Sequence, residues 1–190
     1  MISEGYILLL TDSAGSPDAR DMEEEPMQKI VTNLWFDTQA EEAAWFYTSL
    51  FSSGSVDAVT YYDAAGAEIS GRPEGSVLTV SFTLDGQQFI ALNGGPLFQF
   101  TPAISLMINC ETQEEIDRLW DAFCEEGEPS QCGWVTDKYG LSWQIVPNVL
   151  NELLLTKDPE QAARVNQAMY RMQKLVISEL VAAYHTPKAE

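Results

Sequence analysis

The sequence predicts an α+β fold in which a β-α-β-β-β module occurs twice and is followed by C-terminal helices. The segment 37–43, Asp-Thr-Gln-Ala-Glu-Glu-Ala, recurs as Glu-Thr-Gln-Glu-Glu-Ile-Asp at 111–117. Each copy follows a short apolar run, at 30–36 and at 104–109, and precedes apolar residues spaced i, i+3, i+4 and i+7. This spacing gives a helix one buried face. Two such strand-helix units indicate a duplicated fold, and the junction of two repeats is a common place for a ligand.

Both predicted helices begin with the same capping pattern. Thr38 precedes Glu41 by three residues, and Thr112 precedes Glu115 by three. In this pattern the hydroxyl and the carboxylate each accept a hydrogen bond from a backbone N–H group at the start of the helix. We therefore expect both threonines to act as N-caps. The apolar faces of the two helices are Ala43, Phe46, Tyr47 and Leu50, and Ile116, Leu119, Trp120 and Phe123.

The rest of the first module consists of strands separated by turn signals. The predicted strands are 56–62, 77–84 and 87–93. The first of them alternates in polarity, which is typical of a half-buried strand with Val56, Ala58 and Thr60 on one face. The segment 63–76 contains several Gly and Pro residues and is predicted as a loop. Asp85-Gly86 is the dipeptide typical of a type I′ hairpin turn.

The second module is the shorter copy. Its predicted strands are 104–109, 128–131, 132–136 and 141–146. Pro129 makes the strand at 128–131 short and weak, because proline donates no hydrogen bond to a sheet. Residues 137–140, Asp-Lys-Tyr-Gly, form the turn before the last strand.

The chain ends in helices and begins with a segment of different composition. Asp158 followed by Pro159 is an N-cap with proline at the first helical position, and a further helix is predicted at 175–184. Residues 1–26 are expected to form a flexible extension before the domain. The predicted boundaries are 27–150 for the duplicated domain, with modules 27–96 and 97–150, and 151–190 for the C-terminal helical segment.

Composition restricts the partners and the location. Ten basic and 29 acidic residues give a formal charge of −19, which opposes binding to nucleic acid or to an anionic membrane. The apolar run at 6–10 is too short for a membrane span and has no basic segment before it. Cys110, Cys124 and Cys132 form no C-x-x-C pair and are odd in number, which favours a reducing cytoplasm.

Several motifs together resemble the PhnB-like branch of the vicinal oxygen chelate superfamily, which includes glyoxalase I, bleomycin-resistance proteins and extradiol dioxygenases. The segments that carry the resemblance are 34–37, 41–43, 46–47, 92–96, 101–106, 131–134 and 137–145. The resemblance implies a glyoxalase-like fold in which two β-α-β-β-β modules form a curled mixed sheet, each module contributing half of a cup. It also implies a homodimer. Members of this branch often carry the label 3-demethylubiquinone-9 3-methyltransferase.

The sequence does not support that methyltransferase label or a metal centre. No Gly-rich G-x-G loop joins a strand to a helix, so no cradle for a methyl donor is expected. The resemblance places the four metal-ligand positions of metal-using relatives at Thr32, Ala91, Ala103 and Gln144. These residues are weak donors or none, and the chain's single histidine, His185, lies in the tail. We expect no metal and no cofactor.

Aromatic and amide side chains on the predicted strands are the candidate lining of the cup. They are Trp35, Phe89, Asn93, Trp134, Trp143 and Gln144. Aromatic walls with a few amides are typical of a pocket for a neutral or flat organic molecule. The tryptophans have an alternative place in the core, and Asn93 precedes Gly94-Gly95-Pro96, where an amide also caps a turn.

Three functional hypotheses follow. The first is a metal-free small-molecule-binding protein with the ligand in the cup. The second is an enzyme that acts on a hydrophobic or aromatic substrate, either by acid-base chemistry at a carboxylate, a tyrosine or Cys132, or as a methyltransferase in agreement with the label. The third is an interaction protein that docks a partner on its C-terminal helices. The apolar residues of that docking face are Met169, Met172, Leu175 and Val176; packing on the protein's own domain explains them more simply.

Overall fold

The computed structural model describes residues 28–186. The first module consists of β1 (Thr32–Phe36), α1 (Ala40–Leu50), β2 (Ser55–Tyr61), α2 (Ala64–Ser70), β3 (Val77–Leu84) and β4 (Gln87–Asn93). Its sheet has the order β1-β4-β3-β2. Strand β1 runs parallel to β4, and the other pairs are antiparallel. The predicted extension, residues 1–26, lies outside the described residues.

The second module repeats this connectivity without an equivalent of α2. It consists of β5 (Ser105–Cys110), α3 (Gln113–Cys124), β6 (Glu128–Pro129), β7 (Trp134–Thr136) and β8 (Ser142–Pro147). Its sheet has the order β5-β8-β7-β6, and β5 runs parallel to β8. The predicted α+β fold with two β-α-β-β-β modules is confirmed. The strands divide between two four-stranded sheets, one in each module.

Three helices follow the second module: α4 (Asn148–Leu154), α5 (Pro159–Met169) and α6 (Ile177–His185). The Asp158 side chain accepts a 2.9 Å hydrogen bond from the Glu160 N–H, which confirms the predicted start of α5. Helix α4 was not predicted. Met172 and Leu175, which belong to the proposed docking face, are buried in a cluster formed by this segment itself and by Val146. Their apolar face therefore packs on the protein's own domain.

The two modules share one hydrophobic core. Helices α1 and α3 each cover one face of the sheet of their own module, and they meet where the Phe46 and Phe123 rings pack edge to face with centroids 5.9 Å apart. Tyr47 of α1 also contacts Trp143 of the second sheet, at 5.2 Å between centroids. The opposite face of each sheet is not packed against α1 or α3. We call that opposite face the open face.

The two predicted caps have different outcomes. Thr112 accepts a 3.2 Å hydrogen bond from the Glu115 N–H, and the Glu115 carboxylate accepts one from the Glu111 N–H at 2.8 Å. The prediction for Thr38 is wrong. Gln39 occupies the N-cap position of α1 without a side-chain hydrogen bond, and the first helical N–H, that of Ala40, donates to Asn93. The side chain of Asn93, at the end of β4, takes the place of the local cap.

Two further local predictions need correction, and one is confirmed. The alternation proposed for residues 56–62 is broken by irregularities in the pairing of β2 with β3, so that Val56 and Val59 are the half-buried residues. The predicted loop 63–76 contains α2, which is capped by the Asp63 side chain. Asp85 and Gly86 have φ values of 49° and 81°, as a type I′ turn requires.

None of the helices between residues 28 and 186 has the length and apolar character that a membrane crossing requires.

Candidate functional site

The six candidate lining residues divide between the two faces of the sheets. Trp35, Trp134 and Gln144 are half-buried and lie on the open faces. Phe89, Asn93 and Trp143 lie on the core side and are buried. The division follows the period of two in a β-strand, in which neighbouring side chains point to opposite faces.

Trp35 is the principal aromatic group on the open face of the first sheet. Its indole Nε1 donates a 2.8 Å hydrogen bond to the carbonyl oxygen of Gly95, and its ring packs edge to face with Phe98 at 5.0 Å between centroids. A Cβ atom at Gly94 would overlap the ring, so this approach requires glycine. The strand partner of Trp35 is Leu92, which places an apolar side chain beside it. The indole is therefore held in one position before any ligand binds.

A row of three side chains crosses the open face of the second sheet. Gln144 is the register partner of both Met107 and Trp134, so all three share this face. The Gln144 amide donates a 2.8 Å hydrogen bond to the Ser105 hydroxyl, and Met107 is exposed. The polar groups of this row and of Ser105 are an amide, an indole N–H and a hydroxyl, all uncharged. Such a surface suits a ligand with an apolar body and a few neutral polar atoms.

The assignment of Phe89, Trp143 and Asn93 to the cup lining is corrected by their positions. Phe89 stacks on Phe82 in the core, with centroids 5.2 Å apart, and Trp143 stacks on Phe123 at 4.8 Å. Asn93 accepts the hydrogen bond from the Ala40 N–H at 2.8 Å and donates to the Val77 carbonyl at 3.1 Å. These three residues hold the fold together and offer no surface to a ligand on the open faces.

Asp137 is the buried charged group that the sequence prediction treated only as part of a turn. Its carboxylate accepts hydrogen bonds from the Tyr47 hydroxyl at 2.7 Å and from Trp143 Nε1 at 2.8 Å. The backbone N–H groups of Tyr139 and Leu141 donate to its other oxygen at 2.9 and 3.0 Å. Burial raises the pKa of Asp137, and these hydrogen bonds oppose the rise. Since four donors already use this carboxylate, its role is structural.

A polar cleft lies where α1 begins, beside the loop that follows α2. It has a volume of about 250 Å³ and also borders Asn93. Its other lining residues are Thr38, Glu41, Arg72, Pro73, Ser76 and Val77. Arg72 donates to the backbone carbonyl of Asp37 at 2.6 Å and to the Asp37 carboxylate at 3.3 Å. The cleft was not predicted, because nothing in the local sequence pattern links Arg72 to the start of α1.

Comparison with known proteins identifies the family. The family model described as 3-demethylubiquinone-9 3-methyltransferase matches residues 28–146. The chain belongs to this family. It is the PhnB-like branch of the glyoxalase and bleomycin-resistance superfamily, which the motifs indicated. A search of curated proteins found no match.

Solved structures resemble this PhnB-like chain to different degrees. A PhnB protein from Bacillus cereus, described as a 3-demethylubiquinone-9 3-methyltransferase, is 39% identical, with 63% of this chain and 99% of that chain covered and a TM-score of 0.57. A protein from Pseudomonas aeruginosa is 19% identical, with coverage of 62% and 96% and a TM-score of 0.50, which shows the fold alone. A lactoylglutathione lyase from Agrobacterium tumefaciens is 17% identical, with coverage of 66% and 98% and a TM-score of 0.31. That last likeness carries no argument about activity.

The residues of this PhnB-like chain do not fit the metal centre of metal-using relatives. Thr32 is the strand partner of Phe89 and Ala91 is fully buried, so both lie on the core side. The Ala103 side chain has no atom that could bind a metal, and the Gln144 amide is neutral and already bonded to a serine. Between residues 28 and 186, no group of three or more His, Cys, Asp or Glu side chains is arranged to hold a metal ion. His185 is exposed and packs edge to face with Tyr184.

The family's methyltransferase name is a label that the β1–α1 connection does not support. That connection consists of residues 37–39, Asp-Thr-Gln, and has none of the glycines that let a backbone approach a nucleotide-like cofactor. The N–H at the start of α1 is already bonded to Asn93. The residues here do not form a recognised cradle for a methyl donor.

Proposed function

We propose that this PhnB-like chain is a metal-free protein that binds a small organic molecule against the open faces of its sheets. The observation that carries the proposal is Trp35, an indole fixed by Gly95 and Phe98 on the open face of the first sheet. A preorganised aromatic side chain loses little conformational freedom when a ligand stacks on it. This favours binding over a purely structural role for the residue.

The chemistry of the open faces indicates the class of ligand. Trp35 and Leu92 offer apolar surface on the first sheet, and Met107, Gln144 and Trp134 offer apolar surface with one amide on the second. These groups carry no charge. A neutral, flat or aromatic molecule with one or two hydrogen-bonding atoms fits them best. The same groups provide no acid or base with a pKa near neutrality, so binding is favoured over turnover.

A second copy of the chain is the proposed means of completing the site. Leu97, Phe98, Ile104 and Met107 are each more than half exposed and lie in or beside the segment that joins the two modules. Apolar side chains grouped in this way support a homodimer that closes the cup. The proposed location is the cytoplasm, where the free thiols of Cys110, Cys124 and Cys132 would stay reduced.

Titration of the purified full chain with N-phenylnaphthylamine, a neutral aromatic probe, tests the binding proposal. The matched variants are Trp35→Ala and Trp45→Ala, because Trp45 is 57% exposed on α1, away from the open faces. We expect Trp35→Ala to weaken binding at least tenfold and Trp45→Ala to leave it unchanged. Equal affinities in the two variants, or no binding by the unmodified chain, would contradict the proposal.

Three further measurements test the remaining parts of the proposal. Metal analysis should find no stoichiometric divalent ion, and light scattering after size-exclusion chromatography should give the mass of a dimer. A bound ion in a one-to-one ratio would overturn the metal-free assignment, and a monomer would overturn the proposed closure of the cup. Chemical change of the bound molecule during incubation would favour the alternative, an enzyme of the superfamily that acts on a hydrophobic or aromatic substrate.

A further inference from the structure

The polar cleft at the start of α1 differs in chemistry from the open faces. Its volume of about 250 Å³ lies just below the range of pockets for drug-sized ligands, which begins at roughly 300 Å³. Neither Trp35 nor Gln144 lines it. Its lining has a cationic side chain, Arg72, and an anionic one, Glu41, together with hydroxyl groups. A site of this kind selects a small and highly polar molecule.

Arg72 is fixed in place with part of its binding capacity unused. Its side chain is 20% exposed, and two of its N–H groups donate to Asp37, one to the carboxylate and one to the backbone carbonyl. A guanidinium has five N–H donors in a rigid fork. The remaining donors suit an acid group in the cleft, because arginine binds carboxylates with matched planar geometry. Asp37 holds the fork in position before the ligand arrives.

Glu41 supplies the opposite charge. It lies in the first turn of α1, is exposed, and makes no ion pair within the part of the chain that the structure describes. An ammonium group in the cleft would pair with its carboxylate. The hydroxyl of Ser76 donates to the Pro73 carbonyl at 2.6 Å, which leaves its oxygen able to accept a hydrogen bond from the ligand.

The net charge of the chain favours a ligand that carries both signs. At −19, the protein repels small anions over long distances, whereas a molecule with no net charge is not repelled. We propose that the cleft binds a small zwitterion of the free amino acid class, with its carboxylate on Arg72 and its ammonium group on Glu41. This site is independent of the aromatic ligand proposed for the open faces.

The test begins with a thermal-shift screen of the full chain against each common L-amino acid, followed by calorimetry of the best binder. We expect at least one amino acid to raise the melting temperature and to give a saturable one-to-one heat. No binding by any of them would overturn the proposal. The best binder is then compared with its analogue that lacks the amino group. We expect the analogue to bind at least tenfold more weakly, and equal affinity would overturn the role of Glu41.

Paired variants locate the site. Glu41→Gln and Arg72→Gln should each lower the affinity at least tenfold, which corresponds to about 1.4 kcal/mol. The controls are Glu152→Gln and Arg171→Gln, which change exposed residues of the C-terminal segment. The Glu41 side chain makes no hydrogen bond or ion pair with residues 28–186, so the effect of Glu41→Gln is informative even if Arg72→Gln disturbs the loop. Unchanged affinity in Glu41→Gln would overturn the assignment. Saturating N-phenylnaphthylamine should leave amino acid binding unchanged, which separates this site from the proposed function.

Discussion

The hydroxyl of Tyr47 in the first module donates a 2.7 Å hydrogen bond to the carboxylate of Asp137 in the second. Asp137 is only 4% exposed, and Tyr47 is fully buried. A buried carboxylate is costly unless donors satisfy it, and here the four donors come from both modules. The contact therefore joins helix α1 to the turn before β8 and fixes how the two modules pack.

Replacing Tyr47 with phenylalanine should test this connection. The Tyr47→Phe variant keeps the ring and removes one donor from a buried carboxylate, so the free energy of unfolding should fall by about 1.5–3 kcal/mol. Urea denaturation measures the change. Tyr61→Phe is the control, because Tyr61 is 58% exposed and removal of its hydroxyl group should cost no more than about 0.5 kcal/mol. Equal stabilities of the two variants would show that the hydrogen bond contributes nothing.

The pKa of Asp137 predicts a pH dependence of stability. Because burial raises this pKa in the folded protein, the folded state binds the proton more tightly than the unfolded state does. The contribution of Asp137 is therefore greatest below the ordinary aspartate pKa, about 4, and is lost as the pH rises through the folded value. The Asp137→Asn variant has no titratable group at this position. Its side-chain NH₂ group would also face the N–H and O–H donors that surround Asp137.

The measurement is urea denaturation of both proteins from about pH 4 upward. We expect the unmodified protein to be the more stable at the acidic end, with its advantage over Asp137→Asn shrinking as the pH rises. The difference between the two curves removes the effect of the other carboxylates. An advantage that grew with pH would mean that the hydrogen bonds outweigh burial and lower the pKa.

Local sequence signals predicted the elements whose caps or turns are formed by residues that are close together in the sequence. Asp85-Gly86 gave the hairpin, Thr112 gave the start of α3, and Asp158 gave the start of α5. Each depends on backbone conformations or hydrogen bonds that the neighbouring residues supply themselves. The duplicated motif then predicted the order of the two modules.

The face assignments failed where they depended on register. In a strand, a shift of one residue moves a side chain to the opposite face, so Phe89 packs in the core while its neighbour Ile90 lies on the open face. Long-range contacts failed for a different reason. The amide of Asn93 caps a helix that begins 53 residues earlier, and no local pattern indicates such a partner. Arg72 in the polar cleft and the structural Asp137 also depend on long-range contacts, to Asp37 and to Tyr47 respectively.

The cap supplied by Asn93 predicts a specific loss of stability. Asn93→Ala leaves the Ala40 N–H and the Val77 carbonyl without the amide, so the free energy of unfolding should fall by about 2 kcal/mol. Thermal unfolding followed by circular dichroism measures the effect. Asn109→Ala is the matched control, because Asn109 is exposed on β5. If water satisfied the Ala40 N–H in place of the amide, Asn93→Ala and Asn109→Ala would unfold at the same temperature.

The side chain of Gln113 fastens the C-terminal segment to α3. Its amide donates to the Leu175 carbonyl at 3.2 Å, and its oxygen accepts from the Ile177 N–H at 2.8 Å. Gln113→Ala removes both bonds at the start of α6, so the amides of 177–185 should exchange hydrogen faster while those of α1 are unchanged. Hydrogen exchange followed by mass spectrometry resolves the two regions. Gln167→Ala, at an exposed position of α5, provides the control. If α6 exchanged equally slowly in both variants, the buried Leu175 and Leu180 would be sufficient to hold the segment without Gln113.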